Sequence, residues 1–112
     1  MLRIINSDIY RLILKEIECD KFHLAEDDWN DLKWKINDVY PNFDKNLFSF
    51  LKVSSQEYRI CLLLKVGVGP SNIAKFMNRT KEAITASRRR MYKKAFDKDG
   101  TPTDWDNLVL SL

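Results

Sequence analysis

Arg88-Arg89-Arg90 followed by Lys93-Lys94 places five cations within seven residues. A guanidinium presents parallel N–H donors that match a phosphate or the O6/N7 edge of guanine. Just upstream, Thr85 offers a hydroxyl for a base edge or phosphate and a methyl for the thymine methyl. Ala86 between them is small enough to let a helix backbone approach another surface closely. At about 100° per residue, Ile84 and Met91 share one side of such a helix. Glu82, Ala86, Arg89 and Lys93 lie on the opposite side, flanked by Thr85 and Arg90.

Two shorter features support the same chemistry. Gly69-Pro70-Ser71-Asn72 opens the preceding helix, where free N–H groups and the Ser71 and Asn72 side chains can seat a phosphate. Asn78-Arg79-Thr80 separates the two helices, with Asn78 suited to left-handed geometry and Thr80 to the N-cap. The candidate DNA-contacting set is Ser71, Asn72, Arg79, Thr80, Lys81, Glu82, Thr85, Ala86, Arg88, Arg89, Arg90 and Lys93. One helix positions and the next reads, with the reading helix in the major groove. The competing interpretation is a solvated basic face whose cations complement a helix C-terminus.

Charge distribution favours a polyanionic partner. The net charge is only +3, but residues 65–98 hold ten Lys or Arg against two acids, Glu82 and Asp97, a net +8. The remainder carries nine bases against fourteen acids, a net −5. Like charges concentrated in one segment oppose folding unless an anion uses them.

Other chemistries find little footing. Cys19 and Cys61 are far apart, His23 is the sole histidine, and no metal-ligand spacing links them. No nucleophile elbow, phosphate loop or dinucleotide fingerprint is present, so neither enzyme activity nor a cofactor is expected. No apolar run is long enough for a membrane span and no secretory leader is visible, which points to the cytoplasm without membrane contact. Asp27-Asp28 and Asp31 are expected to cap or solvate.

The elements that must position this surface are all helical, about seven in number. Apolar spacing predicts helices over 2–18 (Leu2, Ile5, Ile9, Leu12, Ile13, Ile17), 27–40 with an Asp27 or Asp28 cap, and 42–51. Pro41 stops the second. Ser54 or Ser55 caps a helix running to about Val66, apolar nearly all round and therefore central. Gly67 fits the C′ position, and Gly69-Pro70 an N-cap followed by N1. The basic helix spans 81 to about 96, and Thr103 with Asp106 opens a last short helix. Trp29, Trp34, Tyr40 and Phe43 are expected to pack as core, the alternative being an exposed aromatic surface for a partner.

Residues 54–96 resemble the DNA-binding domain of LuxR/GerE-type regulators. Ser55-Gln56-Glu57 looks like that family's opening helix turn, Gly67 its interhelical glycine, and Ile73-Ala74 its Ile-Ala pair. Met77, Thr80, Ile84, Met91 and Lys94 stand where it has Leu, a Ser/Thr cap, Val, Ile and Lys. The Arg-Arg-Arg and Tyr-Lys-Lys variant looks like the subgroup at the C-termini of Bacteroidetes regulators. Arg79, Ala83, Thr85 and Ser87 depart from the family's usual residues. The resemblance implies a transcriptional regulator that binds duplex DNA, usually as a homodimer. It divides the chain into an N-terminal helical extension, 1–53, and a LuxR-like helix-turn-helix domain, 54–112. Sigma-factor region 4 has the same helix pattern. The alternative function is therefore an interaction module of this fold that binds protein, for example RNA polymerase.

Overall fold

The computed structural model describes residues 2–112, with side-chain packing from Ile4 onward. The architecture is all-α: α1 (Leu2–Ile5), α2 (Asp8–Glu18), α3 (Glu26–Val39), α4 (Phe43–Phe50), α5 (Ser55–Lys65), α6 (Pro70–Phe76), α7 (Lys81–Phe96) and α8 (Pro102–Ser111). The Leu2 side chain, expected on the first apolar face, lies outside the described side chains.

The helix expected over 2–18 is two helices. Ser7 adopts an extended conformation, its hydroxyl donates to the Ile4 carbonyl, and the same oxygen accepts the Tyr10 N–H at 3.2 Å. A serine hydroxyl competes with the backbone for these groups, so the helix ends and restarts. The break still leaves Ile4, Ile9 and Ile13 buried.

Helix α3 begins a little earlier than expected. Ala25 is its N-cap, and Asp28 Oδ2 accepts the Ala25 N–H at 2.8 Å from inside the first turn. Ser54 caps α5 in a reciprocal box with Glu57: the Glu57 N–H donates to Ser54 Oγ, and the Ser54 N–H to Glu57 Oε1. Helix α5 is the central rod, buried from Ile60 to Lys65.

One apolar core joins residues before and after 53. Trp29, Leu32, Ile36, Phe43 and Leu47 belong to the same cluster as Ile60, Leu63, Ile73, Ile84, Met91, Trp105 and Val109. Polar ties reinforce the join. The Tyr58 hydroxyl donates to Asp44, and its burial together with that carboxylate pushes the phenol pKa upward. Arg59 pairs with Glu26 at 2.6 Å while its guanidinium lies 4.8 Å from the Trp29 ring centroid. Of the four aromatics expected in the core, Trp29 and Phe43 are buried and Tyr40 is half-buried. Trp34, by contrast, is 71% exposed, because it lies on the side of α3 away from the buried Trp29, Leu32 and Ile36.

Lys65 is buried and has no carboxylate partner among the described residues. Its ammonium donates to the Leu110 carbonyl at 2.8 Å and sits 4.0 Å from the Tyr40 ring centroid. It thus satisfies an orphan carbonyl in the last turn of α8, while desolvation lowers its pKa. Cys61, Met91 and Trp105 meet where α5, α7 and α8 converge, and burial pushes the Cys61 thiol up to about 12. Cys61 is therefore an inert core thiol, whereas Cys19 is exposed.

Candidate nucleic-acid interface

The path into α7 is shaped by two similar helix stops. After α5, Gly67 takes φ +86°, and the Val68 and Gly67 N–H groups donate to the Leu63 and Leu64 carbonyls. After α6, Asn78 takes φ +53°, and the Arg79 and Asn78 N–H groups donate to the Ala74 and Lys75 carbonyls. Both are Schellman closures with a residue tolerant of left-handed geometry at C′. Thr80 then caps α7, its Oγ1 accepting the Ala83 N–H at 3.0 Å. The turn sets α7 directly against α6, whose Ile73 and Ala74 are buried.

Helix α7 turns Ile84, Ser87 and Met91 inward. Its outer side is open: Lys81, Glu82, Ala86, Arg89, Arg90 and Lys93 are exposed and Thr85 is half-buried. Lys81, Glu82, Thr85, Ala86 and Arg89 line one shallow depression of about 370 Å³. Ala86, Arg89, Arg90 and Lys93 line the next one along, beside Asp99. The floor at Ala86 is low because a methyl group stands where the neighbours have long side chains. Arg90 donates to Ser87 Oγ at 3.1 Å, and Lys93 pairs with Asp99 at 3.3 Å in open solvent, a weak and exchangeable contact.

Arg88 leaves the candidate set. Its Nε donates to Asp106 Oδ1 at 2.9 Å and its Nη2 to Asp106 Oδ2, a bidentate pair across α7 and α8. The side chain is 6% exposed and that of Asp106 is 19% exposed. The physical reason is helical phase, since Arg88 follows Ile84 by four residues and precedes Met91 by three, on the inward stripe. A second correction frees its partner. Thr101, not Thr103, caps α8, with Pro102 at N1 and Asp104 closing the box by accepting the Thr101 N–H at 2.8 Å. Two overlapping Thr-x-x-Asp frames compete there. The earlier one wins because proline fits N1 and Asp106 can then face Arg88.

The remaining candidates divide by place. Arg79 and Thr80 line a third depression, of about 490 Å³, together with Lys21, Lys75 and Asn78. Ser71 is exposed and Asn72 half-buried at the start of α6, and neither lines any of these three depressions. Lys75 and Lys21 escaped the sequence reading. Lys75 carried a signal as a cation in the last turn of α6, but Lys21 carried none, since its position depends on a distant loop.

Comparison with protein-family models, with curated proteins and with solved structures gives no match. No helix among the described residues is long and apolar enough to cross a membrane.

Proposed function

We propose that the chain is a DNA-binding transcriptional regulator domain that lays the outer face of α7 in the major groove of duplex DNA. The observation that carries this reading is the open face around Ala86, with Lys81, Thr85 and Arg89 on its rim against the single acid Glu82. Arg79, Lys81 and Arg89 form no ion pair among the described residues, so their donors are available to phosphate or base edges. Thr85 and Arg89 are the base-reading candidates; Arg79, Lys81, Arg90 and Lys93 serve the backbone. The resemblance of residues 54–96 to LuxR/GerE-type domains supports the same reading and adds a homodimer.

A second reading has its own observation. Trp34 stands exposed in a groove of about 590 Å³ with Asp8, Asp31 and Asp38 on its walls. Lys35 lines the same groove and pairs with Asp38 at 3.9 Å, so three carboxylates stand against one cation there. An exposed aromatic on a net-acidic wall suits a basic protein surface, so the alternative is a protein-interaction module, for example one that binds RNA polymerase.

Salt dependence separates the two. Each phosphate contact adds about 0.9 to the negative slope of log K against log salt concentration. With four to six contacts per monomer, affinity for mixed-sequence duplex should fall linearly with a slope of about −4 to −5 for each monomer bound, and about twice that for a homodimer. A flat response, or no binding at low salt, favours the protein-binding reading.

A further inference from the structure

We propose that the loop between α2 and α3 adds a second DNA-backbone contact beside α7, with Lys21 and Arg79 as its cations. The inference rests on the reading of α7 as a DNA-facing helix, and it draws the N-terminal segment into that interface.

The loop is held in an unusual shape. Asp20 takes φ +55° and Phe22 φ +51°. For a bulky aromatic this is an outlier that persists only when its surroundings over-determine it. They do so here. The Lys21 and Phe22 N–H groups both point to the Glu16 carbonyl, at 3.0 and 3.4 Å. The Glu16 carboxylate accepts the His23 N–H at 2.8 Å. The Phe22 ring meets Phe76 of α6 edge-on, with centroids 5.2 Å apart. Lys75 lies 4.9 Å from the Phe22 centroid and 3.8 Å from Asp20 Oδ1.

The result of this docking is a gathering of charge. Lys21, from outside the region of family resemblance, lines one depression with Lys75, Asn78, Arg79 and Thr80. Lys21 and Arg79 are exposed, so packing does not require a cation at either position. Neither forms an ion pair among the described residues. Lys75 shares its charge with Asp20, which makes it the weaker of the three. Thr80, on this depression, is the N-cap of α7, and Lys81, on the next, is its first residue, so the two depressions border consecutive residues. That adjacency makes a phosphate of the same duplex the fitting occupant.

The test is the salt titration on mixed-sequence duplex, run on wild type, Lys21→Ala, Asp20→Asn, Lys81→Ala and Lys35→Ala. Lys21→Ala should reduce the slope by about 0.9 for each monomer bound and weaken binding several-fold at low salt. Asp20→Asn removes the competing carboxylate at a left-handed position that asparagine tolerates, and it should tighten binding. Lys35→Ala deletes the same charge from the Trp34 groove and should leave the slope unchanged. If Lys21→Ala keeps the wild-type slope, or Asp20→Asn binds more weakly, while Lys81→Ala lowers the slope, the loop contact is overturned and the α7 reading stands. If wild type does not bind duplex at low salt, both fall.

Discussion

Asp106→Ala should lower the free energy of unfolding by about 3–5 kcal/mol, because it leaves the buried Arg88 guanidinium without a counter-charge. The Arg88–Asp106 pair is unlike the other ion pairs of this chain. Lys93–Asp99 and Lys75–Asp20 are exposed on both sides, and such pairs contribute about 0–1 kcal/mol. Arg88 instead crosses from α7 to α8 with two donors on two carboxylate oxygens. Replacing both members with apolar residues, Arg88→Met with Asp106→Leu, removes the desolvation penalty along with the attraction. That double variant should lie near wild-type stability or above it. Urea denaturation midpoints at constant slope decide the matter. A loss below about 1 kcal/mol for Asp106→Ala would show a pair that water screens, and would return Arg88 to the set available for DNA. The double variant should also keep its affinity for mixed duplex, since the pair faces away from the proposed groove.

Arg89→Ala has the next largest expected effect, and it acts on recognition instead of folding. Arg89 is exposed, stands beside Ala86 and lines both depressions along α7. If its fork spans O6 and N7 of a guanine, the substitution costs about 1–3 kcal/mol on the best sequence recovered from a random duplex pool. On random duplex the loss should be much smaller, because only the electrostatic share of the contact is then missing. Equal losses on both would make Arg89 a phosphate ligand and leave Thr85 as the base reader. Stability should hardly move, since the side chain supports no neighbour.

These two residues are adjacent, yet only Arg89 is exposed, as its phase on the helix predicted. Arg89 followed from helical phase alone. Arg88 sits on the stripe marked by Ile84 and Met91, so its phase pointed inward, but its charge suggested a surface role. The conflict resolves only with Asp106 in view, and the choice between two overlapping Thr-x-x-Asp frames decides where Asp106 points. Local backbone chemistry was more legible. Gly67 and Asn78 at left-handed positions, Pro70 at N1, and the Ser54 and Thr80 caps depend on neighbours within a few residues, and all are found. The Ser7 break in the first helix was missed because its hydroxyl bonds outweigh an apolar pattern that runs through both halves. Lys21 was invisible for a different reason. Its place beside Arg79 depends on Phe22 docking against α6, a contact between residues far apart in sequence.

The central claim is that α7 presents its Ala86 side to duplex DNA, and amide chemical-shift mapping tests it most directly. On titration with mixed-sequence duplex at low salt, the backbone amides of Lys81, Thr85, Ala86 and Arg89 should move most, and those around Trp34 should stay in place. Shifts centred on Trp34, Asp31 and Asp38 with α7 unmoved would contradict the claim, as would a spectrum that the duplex leaves unchanged.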